Sequence, residues 1–206
     1  MEKLTIDGFK SMLENALLRI KEREEEFSKL DAVLGDGDHG TAIVTAFTCV
    51  AKTARQGTEF KAMLGDMGMG VMLEVSGSTS TLLGAFFLGM SDHSGGTELT
   101  AAEVRKMFAG GLANVKQQTK ALVGDKTMMD ALIPAVEAIE SCPSGDIKEI
   151  LQAGAEAAQR GADATIAMKA NFGRARNYGE RSIGTADSGA MSWSCMLKAF
   201  AETLNN

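Results

Sequence analysis

The sequence predicts an all-α protein, an up-and-down antiparallel assembly of eight helices, and three observations predict it. Prolines number 2 and aromatics make up 5% of 206 residues, while Ala, Leu and Met abound, which is a helix-forming composition. Apolar residues recur at spacings of three and four over eight stretches, and no stretch alternates convincingly with the period of a strand. The links between the stretches are short, so neighbouring helices are expected to run antiparallel. At this length a single domain spanning 1–206 is expected, large enough to bury a real core.

The first helix carries Phe9, Met12, Leu13, Ala16, Leu17 and Ile20, then ends in the charged run 21–26. An acidic, glycine-broken loop follows at 30–41. Ile43, Phe47 and Val50 mark the second helix, and Phe60, Met63, Leu64, Met67, Val71 and Met72 the third. Gly65, Gly68 and Gly70 either weaken that third helix or mark close contacts with a neighbour. After a hydroxyl-rich stretch at 75–81, Leu82, Leu83, Phe86, Phe87 and Met90 define the fourth. Thr100 and Glu103 have capping-box spacing for the fifth, which holds Val104, Met107, Phe108, Leu112 and Val115. The chain turns at 120–125. The sixth helix then holds Met128, Leu132, Ile133, Val136 and Ile139 and stops near Cys142-Pro143. Asp146 caps a long seventh helix reaching about Ala170, and 171–188 reads as loop. Asp187 or Ser188 caps the eighth, through Trp193, Met196, Phe200 and Leu204.

Composition excludes several classes of function. A net charge of −6 argues against a nucleic-acid surface. Cys49, Cys142 and Cys195 are widely spaced and odd in number, so neither a disulfide framework nor a zinc site is expected, and buried thiols are the default. No apolar run is long enough to span a membrane, and the start Met1-Glu2-Lys3-Leu4 lacks a signal-peptide core. A cytoplasmic location without membrane partners is therefore expected.

In an up-and-down array alternate connections share an end. The loops before helices two, four, six and eight are 30–41, 76–81, 120–125 and 171–188, and these are the chemically interesting ones. The first sets Asp31, Asp36 and Asp38 within eight residues. Anions that close repel unless a cation sits among them, and hard carboxylate oxygens suit Mg²⁺. Calcium in an EF-hand is out, because the twelfth position would be Phe47 or Ala42 rather than Glu. The alternative is a solvated Asp/Gly turn. The 76–81 stretch reads as an anion site at a helix start or as an ordinary N-cap. Arg174, Arg176 and Arg181 suit phosphate oxygens, or else line a solvated loop. His39 either touches phosphate and moves protons or simply fills its loop. No Walker A loop and no Ser/His/Asp or Cys/His arrangement exists. Together on one rim, these features describe a site for nucleotide phosphates and magnesium.

Three motifs carry a resemblance over essentially the whole chain: Gly35-Asp36-Gly37-Asp38-His39-Gly40; Gly124-Asp125-Lys126-Thr127-Met128; and Gly179-Glu180-Arg181-Ser182-Ile183-Gly184 followed by Asp187-Ser188-Gly189-Ala190. The chain resembles the nucleotide-binding L subunit of dihydroxyacetone kinase. The resemblance implies an eight-helix barrel with ADP or ATP and two Mg²⁺ ions at one rim. It implies that Asp31, Asp36 and Asp38 hold the metals, and that His39, Gly40, Thr41, Ala42, Ser78 and Thr79 line the phosphates. Met128, Arg174, Asp187, Ser188 and Gly189 complete the nucleotide site, with Arg174 as phosphate stabiliser and no covalent catalyst on this chain.

The resemblance also implies partners: a K subunit that holds a short-chain ketose, and a phosphohistidine M subunit of the phosphotransferase system that recharges the bound ADP. Asp38-His39-Gly40 looks more like that branch than the ATP-dependent one, which tends to have Cys at the His39 position. Two departures stand out. Ala42 replaces the usual Asn, so a contact there would run through backbone, and Ser76, Ser80 and Thr81 replace parts of a glycine-rich turn. These keep an ATP-dependent kinase of ketotrioses or of tetruloses such as erythrulose open. Two other classes also stay open: a module docking on a transcriptional regulator, and a structural helical bundle with a fortuitous acidic loop.

Overall fold

The computed structural model describes residues 2–204, and among these it forms nine α-helices and one two-stranded sheet. Strands β1 (Lys3–Thr5) and β2 (Glu98–Thr100) pair antiparallel with Leu4 opposite Leu99. The helices are α1 (Ile6–Glu22), α2 (Glu24–Leu34), α3 (His39–Ala54), α4 (Phe60–Glu74) and α5 (Ser78–Ser91), then α6 (Ala101–Gln118), α7 (Met129–Ser141), α8 (Ile147–Ala164) and α9 (Ser188–Thr203). Short 3-10 turns at Thr165–Ala167 and Arg174–Ser182 interrupt the last connection.

From α3 onward each helix packs on its successor. α9 also packs on α1, α1 packs on α3, and α2 lies against α3 and α9. Phe9 meets Phe60 and Phe200 at ring distances of 5.7 and 6.0 Å, tying α1 to α4 and α9. Phe86 takes Phe87, Phe108 and Trp193 edge-on, tying α5 to α6 and α9. Fully burying one such side chain is worth about 1.5–3 kcal/mol, whereas an exposed ion pair gives about 0–1. Most ion pairs here, such as Lys3–Glu98 and Arg55–Glu14, are solvent-exposed. The core, not surface charge, holds the helices together. Gly68 of α4 shows how closely they pack: a Cβ there would lie 2.8 Å from the Gly84 carbonyl of α5. Its glycine is a close helix contact.

The caps expected from sequence are present. Thr100 and Glu103 form a full capping box on α6, Asp146 accepts the Lys148 N–H, and Asp187 accepts the Ala190 N–H. Three expectations need correction. The first predicted helix is two helices, broken at Arg23, whose backbone leaves helical geometry (φ −111°, ψ 10°) and whose side chain grips Glu26 through two hydrogen bonds of 2.7 and 2.8 Å. The second of these, α2, runs through Leu34, so Asp31 sits on a helix rather than in the loop; burial of Phe27 and Leu34 holds that turn in place. The seventh predicted helix stops at Ala164, not near Ala170. The strands are three residues each, too short to show a period. The three cysteines are free, Cys49 and Cys195 buried and Cys142 partly so. Among the described residues no helix is long and apolar enough to cross a membrane.

Candidate functional site

The N-termini of α3, α5, α7 and α9 converge on one cleft of about 390 Å³, bordered by the end of α2 and the 172–175 turn. Three of the four loops expected to share a rim contribute to it; from the fourth connection it is Lys126, Thr127 and Met128, just beyond 120–125, that line the cleft. The opposite end of the molecule carries the small sheet, with the Ile6 and Phe60 N–H groups bonded to the Thr97 and Gly96 carbonyls.

One side of the cleft is acidic. Asp31, Asp36 and Asp38 each present a carboxylate oxygen, and the three atoms lie within 4.8 Å of one another. Charges at that distance repel by about 1 kcal/mol per pair even at the dielectric of water. Backbone holds them there. Asp31 accepts the Gly37 N–H at 2.8 Å, and Gly37 has φ +78°, a left-handed conformation that suits glycine. The Ser188 hydroxyl reaches Asp31 at 3.4 Å. Asp38 stands at the N-cap position of α3 yet makes no side-chain cap, so its carboxylate is left for the cluster. Arg174 pairs with Asp36 from the far wall. An all-oxygen set of this size fits a hard divalent cation such as Mg²⁺, not a soft one.

The adjoining wall is built from helix starts. α3 and α5 both lack a side-chain cap, and Ala42 and Thr81 are the first residues whose N–H groups reach back, to the Asp38 and Gly77 carbonyls. The N–H groups of His39, Gly40 and Thr41, and of Ser78, Thr79 and Ser80, have no partner within their helices, which is the arrangement that favours an anion. Thr41 itself turns outward to Glu24 at 3.1 Å, so only its backbone is available. Ala42 borders the cleft, but its N–H is already given to the Asp38 carbonyl. Ser80 and Thr81 fold their hydroxyls onto the Gly77 carbonyl at 2.8 and 3.0 Å, away from the cleft, leaving Ser78 and Thr79 in its wall.

His39 bridges the two helix starts and α9. Ser192 donates its proton to the Gly189 carbonyl at 3.0 Å, so it accepts from Nε2 of His39 at 2.9 Å. That leaves Nδ1 as acceptor toward the Thr79 hydroxyl, 3.4 Å away. Burial holds the His39 pKa below its ordinary value, with Asp31 opposing, so the ring is neutral at physiological pH.

The remaining wall is apolar: Leu34, Leu82, Met128, Phe172, Ala186 and Trp193. Met128 lies against Gly189, where an added Cβ would stand 3.4 Å away. Beneath this wall lies a group that sequence reasoning passed over. Lys126 is 1% exposed, and among the described residues it alone has positive φ (61°) without being glycine. Its ammonium donates to the Thr165 and Thr185 carbonyls, tying the 120–128 turn to the end of α8 and the approach to α9. Buried Asp130 holds the Gly124 and Thr127 N–H groups at 2.6 and 2.8 Å. Burial pushes the Asp187 carboxyl up to about 7, against the pull of the Ala190 N–H. The arrangement sets an all-oxygen carboxylate cluster, two uncapped helix starts and an apolar slot side by side, a combination that suits a nucleotide with a divalent cation.

Comparison with known proteins gives the family. Residues 33–202 match the DAK2 domain. The chain belongs to the DAK2 domain family. This DAK2 chain is 33% identical, over 99% of its length and 98% of the relative's, to the ADP-binding subunit DhaL of PEP-dependent dihydroxyacetone kinase 2 from Listeria innocua. It is 30% identical to the D-erythrulose kinase of Mycolicibacterium smegmatis, covering 97% of this chain but 35% of that protein. Among solved structures, the dihydroxyacetone kinase from C. freundii in complex with AMP-PNP and Mg²⁺ superposes with a TM-score of 0.71 at 25% identity, covering 94% of this chain and 33% of that one.

Proposed function

We propose that this DAK2 chain is the ADP-binding subunit of a multi-subunit dihydroxyacetone-type kinase, passing a phosphoryl group to a short-chain ketose held on a separate K subunit. The observation that carries the reading is the oxygen-only cradle of Asp31, Asp36 and Asp38 beside two uncapped helix starts in one cleft. We read 1–206 as a single domain whose described residues form an eight-helix barrel of α1 and α3–α9 with α2 at its mouth; the packing of α9 on α1 and of α1 on α3 supports this.

Asp31, Asp36 and Asp38 would hold two Mg²⁺ ions. When bound, these neutralise a diphosphate and polarise its oxygens. The chain's own groups do the rest. Backbone N–H groups of His39, Gly40 and Thr41, with those of Ser78 and Thr79, hold phosphate oxygens where the helix dipoles favour charge. Ala42, Met128 and the Asp187–Ser188–Gly189 turn bound the nucleoside, and Phe172 and Trp193 exclude water beside it. Neutral His39 keeps α3, α5 and α9 in register. Arg174, released from Asp36, stabilises charge on the transferred group. The chain supplies no covalent nucleophile, so positioning and charge are its contribution.

Coverage of 98% of a stand-alone ADP-binding subunit favours the branch in which bound ADP is recharged by a phosphohistidine M subunit. Similarity to D-erythrulose kinase favours a second reading, an ATP-dependent kinase of tetruloses. Native mass spectrometry of the purified chain tests both. Retained ADP with Mg²⁺, and phosphoryl transfer to ketose only with K-type and phosphorylated M-type subunits, is the expected result. An empty chain that works with free ATP and a K-type subunit supports the second reading. A chain that binds no adenine nucleotide in either state contradicts both.

A further inference from the structure

A second, more open pocket lies against the main cleft, between the end of α2 and the Arg174–Ser182 turn. Leu34, Gly35, Asp36 and Arg174 line both spaces, so these residues bound the one from the other. The second pocket adds Asn177, Tyr178 and Arg181, none of which touches the cleft. The Arg181 guanidinium lies over the Tyr178 ring, 5.6 Å from its centroid. Its neighbour Glu180 is turned away to Lys169 at 3.0 Å, and among the described residues no carboxylate lies within ion-pairing range of Arg181. In a chain of net charge −6, this is a guanidinium held by a ring and left without a counter-ion.

We propose that this pocket is an anion subsite that takes a phosphate dianion on the side of this shared boundary away from the nucleotide. Its lining offers two guanidiniums, an amide and a phenol as donors, against a single carboxylate, that of Asp36. A cation bound by the aspartates claims Asp36 and frees Arg174, which leaves the pocket donor-rich and short of negative charge. Phosphoryl transfer needs donor and acceptor in line on opposite faces of the moving group. A pocket that adjoins the nucleotide cleft along Leu34, Gly35, Asp36 and Arg174 stands beside the metal-binding end of that cleft, where an arriving or departing phosphate would pass. The proposal rests on the nucleotide reading above, and it names a role for Arg181 that the cleft does not give it. The dianion has two sources, a ketose phosphate or a phosphorylated histidine.

The test titrates inorganic phosphate, dihydroxyacetone phosphate and phosphohistidine into the full chain preloaded with ADP and Mg²⁺, followed by calorimetry. One-to-one binding is expected, weakened by about tenfold or more in Arg181→Ala and partly restored in Arg181→Lys, with ADP–Mg²⁺ affinity unchanged within about twofold. Whichever of the two compounds binds tighter than inorganic phosphate identifies the source. Three results overturn the proposal: no phosphate compound binds, Arg181→Ala binds as the parent does, or ADP–Mg²⁺ affinity falls in parallel. If the parent holds no ADP–Mg²⁺, it is the nucleotide reading that fails. The same Arg181→Ala comparison on nucleotide-free protein then decides the pocket by itself.

Discussion

Asp187 performs two tasks with one carboxyl: it caps α9 through the Ala190 N–H and forms part of the cleft wall. Burial raises its pKa from the ordinary 3.8 to about 7, so between those values the folded chain holds a proton that the unfolded chain has lost. Its stabilising contribution is therefore present below pH 4 and fades as pH rises through 7. Asp187→Asn keeps an oxygen for the cap without the charge. In EDTA, the variant's melting temperature is expected to fall less between pH 5 and pH 8 than the parent's. Identical pH profiles would contradict this assignment. At this scale the clustering of the three aspartates was legible, because Asp36 and Asp38 stand two residues apart with Gly35 and Gly37 turning the chain beside them. Lys126 was not. A lysine between Asp125 and Thr127 reads as a solvated helix start, and its burial arises only when α8 and the 183–187 approach close over it. The apolar wall was hidden for a similar reason, since Leu82 and Trp193 fall in the ordinary helical period of α5 and α9.

The carboxylate cluster proposed to hold metal spans two helices, with Asp31 on α2, Asp38 at the start of α3 and Asp36 between them, so its size depends on how closely the helices approach. Gly40 sets that approach: a Cβ there would stand 2.1 Å from the Glu24 carbonyl of α2. Gly40→Ala must push the two helices apart. The expected cost is about 1–3 kcal/mol of stability, together with about tenfold weaker Mg²⁺ binding although all three carboxylates remain. Denaturant unfolding and Mg²⁺ calorimetry on one preparation check both. Destabilisation with unchanged Mg²⁺ affinity would separate the helix contact from the cradle. α2 was unreadable as a separate helix because neither glycine nor proline marks the break at Arg23, and Glu24, Glu25 and Glu26 continue the charged face of α1. The capping signals were readable, because a cap is local chemistry: Thr100 with Glu103, Asp146 and Asp187 each act within three residues.

For the whole molecule, the connections before α3, α5, α7 and α9 meet at one end despite the extra helix. α2 does not reverse the order of the array; it lies against α3 and α9. Four helix starts therefore meet at one cleft, and the small sheet lies at the other end. Helix order brings acidic, hydroxyl-bearing and basic loops to the same cleft. What topology does not supply is the mutual attraction of a carboxylate cluster and a diphosphate, which repel one another until a cation joins them. The most direct test is calorimetric titration of ADP into nucleotide-stripped protein with Mg²⁺ and with EDTA. The account predicts binding at least about a hundredfold tighter with Mg²⁺ and abolished in Asp36→Ala and Asp38→Ala. Equal affinity in the two buffers, or no effect of either substitution, would contradict it.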